Sequence, residues 1–372
     1  MSKSPHSEIE TLLATLASKG VIIPDTRQVF IGPEVNLENI QPGVRLFPGV
    51  RILGKDTVLG QNVIVGSEGP ATLDNVALDD QAEIASGYLT NAVLLRGARI
   101  GSNGHIRACT ILEEEASTAH AVGLKQTVLM SFVTLGSLIN FCDAIVAGGR
   151  SRSDHTEVGS GAINFNFTPW GERGDKATPT LLGNVYDGAL LDSNRVFLGG
   201  LSGVIGPAQI SFGAITAAGQ ILRQDVKANT LLSTVGRNVE GPVDFRVTAF
   251  SERKQTHNLN FISNLFALRE WYRQIRLARL PDTLQFGYKK GIFNFALALI
   301  DQMISERLGR LSDYLRAFDR GPPNPHLISI PCPIEFEASN VDHIVWIRSL
   351  DDSQKKLLMH WLRDVGESIW RV

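Results

Sequence analysis

The segment from Leu198 to Leu222 places the tightest constraint on the fold of this chain. It divides into the six-residue units LGGLSG, VIGPAQ, ISFGAI and TAAGQI, each opened by an aliphatic or β-branched residue and filled largely with small residues. A short fixed period is the signature of a repeat architecture. A chain that turns a corner every six residues explains this period, because the opening side chain enters a narrow core and glycine permits the corner. The period therefore predicts a parallel β-helix built from hexapeptides.

The same rhythm begins at about Val29 and continues through most of the chain. Between Thr72 and Leu112 it is less regular, and the register of the coils stays open there. Elsewhere it is marked by aliphatic-glycine pairs at Leu53-Gly54, Leu59-Gly60, Val65-Gly66, Leu135-Gly136, Val158-Gly159 and Leu182-Gly183. We therefore expect residues 29–240 to form the β-helix.

The first 28 residues are expected to form a helix that caps the first coil. Ser7 and Glu10 have the spacing of a capping box, and Gly20 is a helix-ending residue. A solenoid needs such a cap because its end coil otherwise exposes both its core and its backbone edge.

Residues 241–372 are expected to form a helical region, which makes the whole chain mainly β with helices at both ends. Apolar residues at helical spacing predict helices over 258–280, 291–318 and 349–365, the last with Ser349 as its N-cap. The first of these helices carries a run of arginines, which is either a solvated helix face or a face for nucleic acid or phosphate. We interpret it as a solvated face, since the chain has a net charge of -2.

Composition excludes several classes of function. The net charge gives no global positive field for nucleic acid. The three cysteines have no CxxC spacing, which argues against a disulfide framework and against a zinc site. The N-terminus lacks a signal-peptide pattern, and no segment has the length and apolarity of a membrane span. We expect a soluble cytoplasmic protein with no nucleic-acid or membrane partner.

Two polar segments interrupt the rhythm, at 148–157 and at 167–179. Neither supplies inward apolar residues on a six-residue beat, so both should loop out of the coils. They are either solvated insertions or loops that reach over a groove or a neighbouring subunit.

The region from about Val29 to Arg237 resembles the acetyltransferase domain of the bifunctional enzyme family that makes UDP-N-acetylglucosamine. In that family an arginine, a lysine pair, a Gly-His-Leu-Thr-Tyr segment and an aspartate precede an Ile-Gly-Ala-Gly strand, an Asn-Tyr-Asp loop and an Ile-Ala-Ala-Gly coil. The corresponding positions here are Arg107, Lys125, Ser137 to Asp143, Val158 to Gly161, Asn166 to Thr168, and Thr216 to Gly219. The resemblance implies a left-handed β-helix assembled as a homotrimer, with sites between subunits. The family's nucleotidyltransferase domain is expected to be absent.

The resemblance also implies roles for individual residues. Arg107 corresponds to the family's phosphate-binding arginine and Lys125 to its sugar-phosphate lysine. The other substrate-binding positions fall on Asn140, Glu157 and Asn166. The acyl-CoA-binding positions fall on Phe167, Gly200, Ala217, Ala218 and Arg237.

The family's catalytic histidine is replaced here by Ser137, whose hydroxyl cannot take a proton from an ammonium group at neutral pH. His155 is a candidate replacement base, because Asp154 and Glu157 flank it and a carboxylate can orient an imidazole. His105 and His120, near Arg107 and Lys125 in sequence, are weaker candidates. A zinc site made of these three histidines does not match the spacing of known trimeric β-helix zinc enzymes, and no metal is predicted.

Two functions follow as hypotheses. The first is an acyltransferase that uses acetyl-CoA or another acyl-CoA on an amino-sugar phosphate or nucleotide sugar, similar to the glucosamine-1-phosphate acetyltransferase. The second is a catalytically silent protein that binds or scaffolds a sugar phosphate and has lost the catalytic base at Ser137. Fold alone does not decide between them.

Overall fold

A computed structural model describes residues 5–169, 174–234, 249–326 and 329–370. It begins with helix α1 (Pro5–Ser18), whose Leu13 and Leu16 are buried in the core of the first coils. The helix includes Ser7, so the expected capping box does not start it, and Gly20 with φ of 86° follows its end. The expected cap over the first coil is present.

The body of the protein is made of short parallel strands. In chain order they are β1 (Phe30–Ile31), β2 (Arg45–Leu46), β3 (Arg51–Leu53), β4 (Val58–Leu59), β5 (Ile64–Val65), β6 (Ala71–Leu78), β7 (Glu83–Ile84), β8 (Gly87–Leu94), β9 (Arg99–Ile100), β10 (Gly104–Ile106), β11 (Thr110–Leu112), β12 (Ser117–Thr118), β13 (Gly123–Leu129), β14 (Thr134–Leu135), β15 (Asn140–Val146), β16 (Gly149–Ser151), β17 (Asp154–His155), β18 (Glu157–Val158), β19 (Ile163–Phe165), β20 (Thr180–Leu182), β21 (Phe197–Leu198), β22 (Gly203–Ile205), β23 (Ala208–Ile210), β24 (Ile215–Thr216), β25 (Ile221–Leu222) and β26 (Leu231–Leu232). Among the strands of the described residues, only β16 and β17 pair antiparallel, and all other strand pairs are parallel. This architecture confirms the expected left-handed parallel β-helix.

Each coil passes through three faces. Face 1 is the ten-stranded sheet β2-β5-β7-β9-β12-β14-β18-β21-β24-β26. Face 2 runs β1-β3-β6-β8-β10-β13-β15-β19-β22-β25, and face 3 contains β4, β11, β20, β23 and the second halves of the long strands β6, β8, β13 and β15. The long strands cross the corner between faces 2 and 3 at residues with positive φ, which are Asn75, Asn91, Gln126 and Asp143.

The core follows from alternation along each short strand. Inward residues of successive strands form a layer of aliphatic side chains within each coil, such as Ile100, Ile106 and Leu112 on faces 1, 2 and 3. The irregular register between Thr72 and Leu112 has a simple cause. Strand β6 pairs with β8 so that Leu73 lies beside Leu89, which makes this coil 16 residues long instead of three hexapeptides.

Helices cover face 3. They are α3 (Glu252–Glu270), which continues as a π-helical segment (Trp271–Leu277), α4 (Gly287–Arg316), α5 (His343–Ser349) and α6 (Asp352–Ser368), with the short α2 (Val185–Gly188) between β20 and β21. Outward residues of face 3, including Val93, Ile111 and Val128, share one hydrophobic cluster with α3 and α4. The helical region therefore packs on the β-helix through an apolar interface.

The helices differ from expectation in detail. The third predicted helix corresponds to α6, which is capped by Asp351 in a capping box with Gln354, not by Ser349. Helix α5, which ends at Ser349, was not predicted. The arginine run is a solvated face only in part, since Arg273 is exposed but Arg276 and Arg279 are buried. Arg276 pairs with Glu114 at a corner of the β-helix, and Arg279 donates to His343 in α5.

The two polar segments leave the coils as expected. Residues 149–155 form the hairpin β16-β17 at the corner between faces 3 and 1, where Arg152 donates to the carbonyl oxygens of Glu115 and Phe132. The second segment leaves the coil after β19 and returns at β20, with Thr168 paired to Asp175. The domain boundary expected near residue 240 lies outside the described residues and stays a prediction. No helix in the described ranges is long and apolar enough to cross a membrane.

Candidate functional site

Face 2 carries a small groove on its outer surface. Strand pairing sets His105 beside Gly123 and Gly123 beside Asn140. Ile106, Leu124 and Phe141 are buried in the core, so their neighbours on each strand point outward. Because Gly123 has no side chain, a gap separates the other two residues, and a Cβ added there would lie 3.4 Å from Asn140 Oδ1.

Two cations border this gap. Arg107 and Lys125 are the next outward residues on β10 and β13, with Lys125 beside Cys142 on β15. Within the described ranges neither forms an ion pair with a carboxylate, and the recorded partner of the Arg107 side chain is Cys142 Sγ, 3.4 Å from Nη2. A fork and a point charge without acidic partners suit an anionic ligand. We call the surface formed by His105, Arg107, Gly123, Lys125 and Asn140 the face 2 groove.

The Cys142 thiol beside these cations is not a nucleophile at neutral pH. Burial raises the pKa of Cys142 above its ordinary value. The positive charges of Arg107 and Lys125 oppose this shift but do not cancel it. Burial likewise raises the pKa of Cys109, to about 11. Both cysteines are therefore neutral at neutral pH.

Ser137 lies at the corner between faces 1 and 2, just before Asn140. Its Oγ donates to Ser160 Oγ at 3.0 Å, and its backbone N–H donates to the same oxygen at 3.1 Å. Within the described residues, no titratable side chain forms a hydrogen bond with the Ser137 hydroxyl. A hydroxyl in this setting can bind a ligand but cannot serve as a general base.

His155 lies at a different corner, between faces 3 and 1, in hairpin strand β17. Asp154, the carboxylate expected to orient it, instead pairs with Arg150 at 3.0 Å and with Arg195 at 3.8 Å. The Nδ1 atom of His155 is buried and has no hydrogen-bond partner among the described residues. Glu157 is exposed on face 1. Within one chain, His155 therefore does not share the face 2 groove.

Asn166, expected to bind the substrate, and the residues expected to bind acyl-CoA fall at both ends of face 2. Asn166 and Phe167 follow β19 at the end nearest face 3, where Asn166 Nδ2 donates to Asp143 Oδ2 at 2.8 Å. Gly200, Ala217 and Ala218 follow face 1 strands at the opposite corner, the one that carries Ser137. Arg237 lies outside the described residues. The roles of all these residues stay predictions.

The structure favours one weak candidate and adds one residue to the sequence-based set. His105, a weaker candidate by sequence, is the histidine that shares the groove with Arg107 and Lys125. Arg307 on α4 contacts Asp143 and had no signal in the sequence, because it lies beyond the region on which the resemblance rests. In the described ranges, no three or more His, Cys, Asp or Glu side chains are grouped so that they could hold a metal ion.

Comparison with known proteins finds relatives for part of the chain. The bifunctional protein GlmU of Pseudomonas fluorescens Pf-5 is 31% identical over 160 residues, which cover 43% of this chain and 30% of that protein. The same protein from P. fluorescens Pf0-1 is 30% identical with the same coverage, and that from Pseudomonas entomophila is 29% identical over 159 residues, 42% of this chain and 30% of the relative. The chain thus spans about 30% of the length of the curated relatives it matches. No family model matches the chain.

Among solved structures, LpxA from Acinetobacter baumannii is similar over 74% of this chain and 95% of its own, with 14% identity and a TM-score of 0.20. The GlmU relatives and the β-helix together confirm that the chain resembles a hexapeptide-repeat transferase domain.

Proposed function

Since the chain is a hexapeptide-repeat acyltransferase-like protein, we propose that it binds an amino-sugar phosphate or nucleotide sugar in the face 2 groove and transfers an acyl group to the sugar amine from acyl-CoA. The observation that carries the proposal is the position of Arg107 and Lys125 beside the gap at Gly123, where neither cation has an acidic partner among the described residues. The similarity to GlmU supports the choice of substrate class.

The proposed reaction transfers an acyl group from a thioester to an amine. The amine nitrogen attacks the thioester carbonyl carbon, the carbon–sulfur bond breaks, and the proton lost by the amine passes through a base to the leaving thiolate. Arg107 and Lys125 hold the phosphate, while Asn140 and Asn166 supply amide groups for the sugar and the thioester. The small residues Gly200, Ala217 and Ala218 let pantetheine lie against the coil wall, with Phe167 and Arg237 as further contacts.

Two histidines are candidates for the base. His105 is exposed in the groove itself and stands two residues from Arg107 on the same strand. His155 reaches the groove only if another copy of the chain presents it there. Separate substitution of the two residues distinguishes a base supplied within one chain from one supplied between chains.

A second function is favoured by one specific observation. Ser137 stands at the family's catalytic position, and its hydroxyl is bonded to Ser160 instead of to a titratable group. A protein that keeps Arg107 and Lys125 but has no base would bind the sugar phosphate without turnover.

We further propose a homotrimer. Large apolar side chains stand side by side on face 1 in the last coils, where Phe197 pairs with Ile215 and Ile215 with Leu231. Leu201, 77% exposed, continues this surface at the corner with face 2. Exposed contiguous apolar surface of this kind marks protein interfaces, and helices already cover face 3. A cytoplasmic location stays a prediction.

The test is thiol release from acetyl-CoA with glucosamine 1-phosphate, together with calorimetric binding of N-acetylglucosamine 1-phosphate. We expect turnover that is lost in Arg107→Ala and in one of the two histidine variants, His105→Gln or His155→Gln. Arg99→Ala, which removes an exposed arginine from face 1, is the matched control and should behave as the wild type. Binding without turnover, lost in Arg107→Ala, would establish the silent protein. Neither binding nor turnover would refute both functions.

A further inference from the structure

Helix α4 carries a buried arginine that reaches the edge of the candidate site. The Arg307 side chain is 2% exposed, and its Nη2 lies 3.3 Å from Asp143 Oδ1. Burial lowers the pKa of Arg307, and Asp143 is the foremost group that opposes this shift. A buried cation is costly without a partner, so the contact with Asp143 is needed to hold Arg307 there.

Asp143 connects this arginine to the site. Its Oδ2 accepts a hydrogen bond from Asn166 Nδ2 at 2.8 Å, while its Oδ1 faces Arg307. Asp143 directly follows Cys142, the neighbour of Lys125, at the corner between faces 2 and 3. The contact fixes the orientation of the Asn166 amide, because its NH₂ group must face the Asp143 carboxylate. The amide oxygen of Asn166, Oδ1, is left as an acceptor for a ligand N–H.

The helical region also holds the segment that follows Asn166. Arg307 Nη1 donates to the carbonyl oxygen of Lys176 at 3.3 Å. Asn258 of α3 donates to the carbonyl oxygen of Ala177 at 3.1 Å, and Lys254 of the same helix pairs with Asp175. Three side chains from two helices thus fix residues 175–177, just before the chain re-enters the β-helix at β20.

We propose that the helical region contributes to the site. In this proposal Arg307 is a positioning residue that orients Asn166 through Asp143 and helps to anchor residues 175–177. This inference rests on the proposed function for the statement that Asn166 contacts a ligand. That Arg307 orders Asn166 and residues 175–177 does not depend on the proposed function. Together they assign a role to helices that have no counterpart in the resemblance to the acetyltransferase domain.

The experiment compares three full-length variants with the wild type. Arg307→Met removes the cation, Arg307→Lys keeps the charge but lacks the planar fork that contacts both Asp143 and Lys176, and Arg310→Met is the control. Arg310 lies one turn further along α4 and pairs with Glu306 within the same helix. Two quantities are measured: hydrogen exchange of the backbone amides of residues 164–178, and calorimetric affinity for acetyl-CoA and for N-acetylglucosamine 1-phosphate.

We expect Arg307→Met to exchange faster across 164–178 and to lose about tenfold or more in affinity for at least one ligand, as for loss of a hydrogen bond to a charged group. Arg307→Lys should fall between Arg307→Met and the wild type, and Arg310→Met should match the wild type in both measurements. Exchange and affinity in Arg307→Met equal to those of Arg310→Met would overturn the inference.

The two possible failures are distinguishable. If exchange increases but the wild type binds neither ligand, the proposed function fails and the positioning of Asn166 holds. If the wild type binds and Arg307→Met binds equally well, the proposed function holds and the role of Arg307 in the site fails. Should Arg307→Met not fold, the double variant Asp143→Asn/Arg307→Met removes both buried charges together, and wild-type exchange in it would equally overturn the inference.

Discussion

Ser137 donates a hydrogen bond to Ser160, with 3.0 Å between the two hydroxyl oxygens. Ser137 is the residue expected to correspond to the catalytic histidine of the acetyltransferase family. The two serines lie in successive coils at the corner between faces 1 and 2, close to Asn140 of the groove. Neither serine hydroxyl can serve as a general base at neutral pH.

The substitution Ser137→His should place a general base at this corner. An imidazole there can accept the proton of the sugar ammonium, and general base catalysis contributes about a hundredfold or more. We expect kcat for acetyl transfer to rise by at least about tenfold, with a pH profile that reports one new ionisation near neutral pH. The measurement is thiol release between pH 5.5 and 8.5. Ser160→Ala removes the same hydrogen bond without adding a base and should give no increase; an equal increase in both variants would contradict the prediction.

Gly87 should tolerate no side chain. Its φ is 130°, and a Cβ added to it would lie 2.0 Å from the carbonyl oxygen of Gly104 in the next coil. We expect Gly87→Ala to lower the free energy of unfolding by at least about 3 kcal/mol, from backbone strain and a clash with backbone atoms. Urea denaturation followed by circular dichroism measures the change.

Gly219→Ala is the matched variant for that experiment. Gly219 also has a positive φ, 73°, but among the described residues no atom lies within 4 Å of an added Cβ. Only the backbone strain should apply, about 1 kcal/mol. Equal losses in the two variants would show that contact between coils is not what requires glycine at position 87.

Asp79 should make the stability of the protein depend on pH. Burial raises the pKa of Asp79 to about 6 from an ordinary value of 3.8, with Lys289 opposing the shift. The folded protein therefore keeps this proton to higher pH than the unfolded chain does, and the contribution of Asp79 to the free energy of unfolding falls as pH rises from about 4 to about 6. Above that window it is constant.

Asp79→Asn removes this titration while keeping an oxygen for the backbone N–H of Asp80. From pH 4.5 to pH 6.5 the wild type loses the contribution of Asp79 to its free energy of unfolding, and Asp79→Asn does not. We therefore expect Asp79→Asn to be more stable at pH 6.5, relative to pH 4.5, than the wild type is. Asp313→Asn, at an exposed carboxylate on α4, serves as control. Identical pH dependence in the wild type and Asp79→Asn would rule out Asp79 as the source.

Local sequence pattern was enough to predict the β-helix, because each hexapeptide contains its own inward residue and corner. It failed where a coil changes length, as at Leu73 and Leu89, since a coil of 16 residues has no fixed six-residue beat. Helices were predicted from apolar spacing, but the cap of α6 was placed at Ser349 instead of Asp351, and the buried Arg276 was read as solvated. A periodic pattern shows that a face is polar without showing what lies opposite.

The candidate site was predicted in part for the same reason. Arg107, Lys125 and Asn140 lie in three successive coils, so the repeat itself brings them to one face. Arg307 and Asp143 are separated by more than one hundred and fifty residues, and nothing in either local sequence indicates the other. Such contacts become visible only when the helical region is seen packed on face 3.

The course of α4 has a consequence for how the molecule comes apart. In a solenoid each repeat touches only its nearest neighbours, so the array can unravel from either end one repeat at a time. Tyr288, at the start of α4, bonds to Asp80, whereas Arg307 near its other end reaches Asp143, four coils further along the array. Because α4 bridges repeats that never touch one another, we expect the coils between Asp80 and Asp143 to unfold as one cooperative block. The last coils are held by another helix, α3, whose Arg253 and His257 pair with Asp225.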